Sequence, residues 1–320
     1  MRGIDYVLKR TGFALVTIFV AVTINFVLFR ALPGDTISNL SKVPGATPAL
    51  RAELTKEFGL DRSKWDQYWI YLRQLATGNL GVSFSSVEPV RSEVARAVAN
   101  TIPMVFVGTL FAIGLGTVTG VLAAWKRRTV VDYGSVSAAL IFYSLPTHWL
   151  GLMLLLLTAG YLPRGGREDE FLFDPTFVQH WVDVGKHMLL PSLTLGLVLY
   201  GQYTLVTRSA MLETLGEDFI LTARAKGLAD RTIVRRHAFR NAMLPVITLV
   251  ALSLGYIVAG SILIETVFSW PGVGLLVSRS VERRDWPVLQ GAFLILTISV
   301  VFFNYVADLL YFRLDPRITA

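Results

Sequence analysis

The 320-residue sequence has no cysteine and few charged residues. Without cysteine there is no disulfide framework, no thiol nucleophile and no thiolate metal site. Only four histidines are present and no cysteine, and although His180 and His187 lie seven apart, no metal site is expected. No Gly-x4-Gly-Lys-Ser/Thr loop occurs, because Gly185-Lys186 lacks the upstream glycine and is followed by His187. The chain therefore carries no phosphate cradle of that kind. Asp, Glu, Lys and Arg make up 17% of the residues, against about a quarter in soluble domains. The deficit is concentrated in stretches of about 20 residues, enough to cross a hydrocarbon layer about 30 Å thick as a helix. A charge at the centre of such a run costs about 2.5–3.5 kcal/mol, so its absence is a physical signal.

Apolar residues make up 53% of the chain. Six membrane spans are expected, at 11–29, 102–124, 135–161, 188–206, 244–264 and 288–310, giving an all-α membrane protein in a single domain over 1–320. The apolar run from Thr11 follows a basic N-terminus, as in a signal peptide. It is longer than a signal core, however, and Arg30-Ala31-Leu32-Pro33 follows it in place of a small-residue cleavage site, so an uncleaved first span is expected. The net charge of +7 sits between the apolar runs, which fits membrane topology and a lipid partner better than nucleic acid. With both termini inside, the inner segments hold 15 Lys/Arg over 67 residues and the outer ones 14 over 116. That density difference places the termini in the cytoplasm.

Between the first two spans, 33–99 reads as a structured extracytoplasmic loop. Thr47-Pro48 opens a helix whose stripe is Leu50, Leu54 and Phe58, with Gly59 as its stop. A second amphipathic stretch covers Asp66–Leu75, and a third, Ser92–Ala99, leads into the second span. Gly114, Gly116 and Gly120 approximate a nucleotide fingerprint but lie inside a span, where close helix packing at Gly116 and Gly120 explains them better. His148, near the middle of the third span, is an ionisable group where few occur and so a translocation-path candidate. A neutral histidine bonded across helices is the alternative. Glu265 and Asp308 lie near span ends, within expected reach of water.

The most informative segment is the inner loop 207–243. Glu217-Asp218-Phe219-Ile220-Leu221-Thr222-Ala223-Arg224-Ala225-Lys226-Gly227 is a short helix closed by glycine. A mere connector is usually far shorter. Composition leaves two readings open: a contact for a partner, or a basic amphipathic segment lying on anionic lipid.

Residues Thr222–Leu228, His237, Arg240-Asn241-Ala242 and Leu244-Pro245 resemble the cytoplasmic signature loop of ABC-importer permeases, in the form found in the dipeptide, oligopeptide and nickel subfamily. Leu221-Thr222-Ala223 stands where the wider family has Glu-Ala-Ala, a departure the subfamily shares. Leu32-Pro33-Gly34-Asp35, Phe58-Gly59-Leu60-Asp61, Gln67-Tyr68, Gly78-Asn79-Leu80-Gly81 (Asn79 for the usual Asp), Glu265–Gly274, Arg284-Asp285-Trp286-Pro287 and Leu314–Ile318 resemble it in the same order. The resemblance covers nearly the whole chain. It implies a bacterial inner-membrane permease subunit partnered by a second homologous permease, two ABC ATPase subunits that bring ATP and Mg, and an extracytoplasmic solute-binding protein. The solute it implies is a di- or oligopeptide, with nickel, glutathione and oligosaccharides as relatives' cargo. It makes Glu217–Gly227 a coupling helix, with Glu217, Asp218, Phe219, Arg224, Ala225, Lys226 and Gly227 as ATPase-contact residues, and with Ala223 and Ala225 small enough for close approach. It implies no catalytic residue. The rivals are an ATP-independent secondary transporter or channel, which calls for mid-membrane carboxylates, and a membrane enzyme, which calls for a clustered polar site. Neither pattern is present.

Overall fold

The computed structural model describes residues 2–31, 48, 52, 55, 56, 59–169, 171, 173–256 and 261–314. The expected Leu50/Leu54/Phe58 stripe, the Leu32–Asp35 motif and the ending after Leu314 lie outside them. Among the described residues there are helices and no strand beyond an isolated Val82–Pro89 bridge. Hydrocarbon cannot hydrogen-bond a backbone, and helices satisfy theirs internally. The helices used below are α1 (Arg2–Phe26), α2 (Lys64–Ala76), α3 (Val90–Trp125), α4 (Val130–Ser144), α5 (Thr147–Leu157), α6 (Phe177–Leu215), α7 (Asp218–Ala225), α8 (Phe239–Tyr256), α9 (Ile262–Val267), α10 (Val273–Arg283) and α11 (Trp286–Leu314). Four described helices, α1, α3, α6 and α11, are long and apolar enough to cross a bilayer, or five spans if the bent pair α4 and α5 counts as one. The expected 244–264 span falls on α8, on the start of α9 and on 257–260, which lie outside the described residues.

Two compact units form, 1–101 with 271–320, and 102–270. In the first, α1 and α11 pack antiparallel. Arg10 pairs with Asp308 at 3.1 Å and Thr11 meets Tyr305 at 2.9 Å near one end, while Asn25 donates to the Gln290 carbonyl at 3.2 Å near the other. Helix α2 lies against both through Tyr71, Val22, Phe26 and Leu294. Asp285, buried between α10 and α11, accepts four hydrogen bonds from one loop: the Ser83 and Ser85 hydroxyls at 2.6 Å each, and the Phe84 and Ser85 N–H groups at 3.1 and 3.0 Å. Nearby, the Asn79 side chain accepts from the Gly81 N–H at 2.9 Å, a task an aspartate performs equally well.

In the second unit the expected 135–161 span is not continuous. Helices α4 and α5 meet at a 105° bend. Pro146 lacks an N–H and biases the preceding residue toward extended backbone, and Leu145 takes φ −71°, ψ 133°. Glycine at 151 then lets α5 approach Val267 and Phe268. Glu265, expected at a span end in reach of water, is fully buried, with the Ser261 hydroxyl donating to it at 2.8 Å. The correction follows from α9 packing beneath α5, where Ile264, Phe268 and Trp270 share a core with Met104 and Leu190.

Helices α3 and α6 approach each other closely at two glycines. A Cβ on Gly116 would lie 2.5 Å from that of Tyr203, and one on Gly120 would lie 2.7 Å from both the Thr204 carbonyl and the Thr207 Cβ. Gly114, by contrast, faces open space. Lipid offers no hydrophobic drive for helices to associate, so this kind of backbone proximity supplies the packing energy. Gly120→Val should therefore destabilise the protein by about 2 kcal/mol or more, in the range of overpacked cores, while Gly114→Val should cost well under half of that. Thermal unfolding of the purified protein in nanodiscs reads both.

Candidate coupling site

Helix α6 stops at Gly216, and the chain turns through Glu217, whose backbone is extended (φ −75°, ψ 149°), into the eight-residue α7. The far end of α7 is closed by a Schellman motif: the Gly227 N–H donates to the Arg224 carbonyl at 2.9 Å and the Leu228 N–H to the Ala223 carbonyl at 3.3 Å. Gly227 takes φ +73°, and a Cβ there would meet nothing within 4 Å. Its requirement is conformational rather than spatial.

Two side chains fix α7 to the rest of the unit. Ile220 and Ala223, three apart on one face, are buried in a cluster with Ala124 of α3, Ala210 and Met211 of α6, and Ile233, Val234 and Ala238. Glu217, Asp218, Phe219, Arg224, Ala225, Lys226 and Gly227 are all exposed. Ala223 is not. Its small side chain permits close approach of the chain's own core, because it shares the inward face with Ile220. Sequence reasoning missed Leu221, which is 68% exposed at the middle of α7 beside Phe219 at 40%. Its signal was available: an apolar residue one step from the 220/223 stripe points away from it. A pocket of ≈ 320 Å³ opens beside α7, and its lining includes Arg127, Leu215, Arg224 and Asp230.

Beyond α7 a single turn, Asp230–Thr232, leads into a π-helical segment, Ile233–Ala238, and then α8. Pro245 lies one and a half turns into α8. Such wide turns are uncommon and often sit at functional positions. Ile233, Val234 and Ala238 face the core, and Arg235 and Arg236 face out.

An ion pair with a buried carboxylate braces the same end of the unit. Arg208 of α6 donates to both oxygens of Asp132 at 2.7 and 3.0 Å, and the Arg128 N–H donates to Asp132 at 2.9 Å. Asp132, 3% exposed, thereby joins the first turn of α4 to α6 less than two turns before α6 ends. Sequence reasoning did not single out this pair, since 76 residues separate its members.

His148 is exposed in the first turn of α5, directly after the bend, and makes no hydrogen bond or ion pair among the described residues. His180 faces Glu168 at 3.1 Å, and His187 lies 3.5 Å from Asp183.

The family described as binding-protein-dependent transport system inner membrane component matches residues 116–320, and the N-terminal model of such membrane components matches 3–105. The chain belongs to this family. It is 36% identical to the dipeptide transport system permease protein DppB of Escherichia coli K12 over 334 aligned positions, covering 98% of each chain. It is also 36% identical to the di/tripeptide transport system permease protein DppB of Pseudomonas aeruginosa, again over 98% of each. The glutathione transport system permease protein GsiC of E. coli O6:H1 is 33% identical over 98% of this chain and 99% of its own. The protein is thus a multi-pass membrane permease subunit of an ABC importer, and the ATP-independent alternative has no support.

Two predictions follow from the site's own geometry. Asp132→Ala leaves the part-buried Arg208 guanidinium without its carboxylate and should cost about 1.5–3 kcal/mol. The Asp132→Ala/Arg208→Ala double variant should lose less than the sum of the single variants when unfolding is measured in nanodiscs. At position 227 the cost should follow backbone preference rather than size. Gly227→Asn should be milder than Gly227→Val, the latter losing about 1–2 kcal/mol at the helix end and most ATP-dependent uptake.

Proposed function

We propose that this chain is one of two homologous permease subunits of an importer of di- or oligopeptides across the bacterial plasma membrane. ATP and Mg bind two partner ABC ATPases, and an extracytoplasmic binding protein delivers the solute. The relatives named above are permeases for dipeptides, di/tripeptides and glutathione, which favours a short peptide over nickel or oligosaccharide. Charge density favours both termini in the cytoplasm, 33–99 outside as a helical loop, and 207–243 inside as the coupling loop. The antiparallel pairing of α1 with α11 requires an even number of crossings. With α1, α3, the bent α4–α5, α6 and α11 already making five, α8 as the sixth span satisfies that parity.

The observation that carries the reading is the division of α7 into two faces. Ile220 and Ala223 are committed to the chain's own core, whereas Phe219 and Leu221 are left exposed among Glu217, Asp218, Arg224 and Lys226. Exposed apolar side chains within a charged rim fit a protein contact better than a lipid surface, which would favour one continuous apolar face. In this role Glu217, Asp218, Phe219, Arg224, Ala225, Lys226 and Gly227 contact the ATPase, with Leu221 added to them. ATP-driven closure of the two ATPases draws two such helices together, and the spans follow. His148, exposed at the α4–α5 bend, is the translocation-path candidate.

Purification of the tagged chain from its native membrane, followed by mass spectrometry, tests the assignment. A P-loop ATPase and a second permease should co-purify. Leu221→Glu should remove the ATPase and retain the second permease, because the outward face alone is altered. Dipeptide uptake into vesicles by this chain without ATPase or ATP would contradict the assignment.

A further inference from the structure

Helix α2 has a face that the transport function does not use. Ser63 caps its start, its hydroxyl accepting from the Asp66 N–H at 3.2 Å. One side is locked to two membrane-spanning helices: Tyr68 meets the Thr23 hydroxyl at 2.8 Å and packs edge-on against Phe26 at 5.1 Å, and Tyr71 joins the cluster of Val22, Phe26 and Leu294. Beside that side runs a second stripe, Trp65, Trp69 and Arg73, at i, i+4 and i+8. Trp65 is 66% exposed and Trp69 55%, although their rings meet edge-to-face at 5.9 Å.

Depth decides what covers this stripe. Thr23 lies six residues before Phe29, where the apolar span that begins in α1 ends, or about 9 Å along a helix axis. Leu294 lies eight residues after Trp286, the first residue of α11, or about 12 Å along its axis. Helix α2 is therefore held beside the part of both spans that is flanked by lipid. The outward residues Val20 and Ile24 of α1, and Val27 just beyond it, are themselves exposed and apolar, so the tryptophans continue a lipid-facing surface. Indole, an apolar body with one N–H, favours the boundary between acyl chains and headgroups, and the long stem of Arg73 reaches from there toward phosphate.

We propose that α2 is an interfacial helix that seats Trp65 and Trp69 in the leaflet at the C-terminal end of α1, with Arg73 at the level of the phospholipid phosphates. The role is independent of the solute and of the ATPase contact. It anchors the loop between the first two spans at a fixed depth.

The absence of cysteine makes the test direct. Trp65→Cys and Trp69→Cys, with Asp61→Cys and Leu15→Cys as aqueous and mid-span controls, are labelled with an environment-sensitive fluorophore. The complex is then reconstituted with its co-purifying partners into phosphatidylcholine/phosphatidylglycerol vesicles. Labels at 65 and 69 should be quenched several-fold more by a nitroxide near the top of the acyl chain than by one near its end, the reverse of the label at 15. They should also be several-fold less accessible to iodide than the label at 61. Iodide access equal to that at 61 would overturn the proposal, as would shielding from both quenchers, which would indicate a protein covering. If the cysteine variants do not assemble, Trp65→Phe/Trp69→Phe gives the same answer by difference. The tryptophan emission it removes should be the part quenched by brominated phospholipid, and removal of unquenched emission would refute the anchor.

Discussion

The close approach of α3 and α6 is the contact on which the end of the molecule that carries α7 depends. At Gly116 and Gly120 the two backbones are near enough that a single methyl group has no room. In a bilayer, where apolar surface gains nothing by leaving lipid, such proximity is a principal source of packing energy. It fixes the axis of α6, a helix of 39 residues, and so fixes where its last turns emerge. Thr119 and Thr204 add a hydroxyl contact at 3.0 Å across the same seam, and the Ser192 hydroxyl donates to the Met104 carbonyl at 2.9 Å farther along.

Everything at the candidate site is built outward from that axis. Arg208, on the last part of α6, captures Asp132 and with it the start of α4. Met211 and Ala210 on the next turn form the floor on which Ile220 and Ala223 sit. Gly216 ends α6, and α7 begins two residues later, so little chain is free to flex between them. The helix proposed to receive the ATPase stroke is thereby fixed to α6 through side chains as well as through the backbone. A force applied to its outward face passes into α3, α4 and α6 through packed groups, without relying on a flexible connector. The π-helical turn before α8 closes the same cluster from the other side through Ile233, Val234 and Ala238.

Much of this was legible in the sequence, for identifiable reasons. Apolar runs without charge fix where helices run, because the energetic penalty acts locally. Gly116 and Gly120 lie four apart, so one helical face declares their role. Gly227 follows a short helical run, and such a position calls for a left-handed residue. What was illegible depends on partners distant in sequence. Proline at 146 is compatible with a straight or a bent span, and the bend is set by what α5 packs on, Val267 and Phe268. The Asp132–Arg208 pair and the Asp285 clamp on Ser83–Ser85 join residues 76 and about 200 positions apart. No local pattern marks either. Glu265 looked reachable by water because its neighbours in sequence are near a span end, yet α9 folds it inward. Ala223 was expected to permit close approach to a partner, but the motif, read as a string, does not say which side of α7 meets the core, and Ala223 lies on that side.

The claim that α7 is rigidly carried by the spans can be tested by one distance. A double variant, Thr222→Cys/Trp125→Cys, places spin labels on α7 and at the end of α3 in a chain that otherwise lacks cysteine. Pulsed electron paramagnetic resonance on the complete complex in nanodiscs then compares the nucleotide-free state with an ATP-trapped state. The account predicts the same distance distribution in both states, since α7 and α3 share one core. A distribution that shifts or splits on ATP binding would show α7 hinging at Gly216 independently of the spans, and would contradict it.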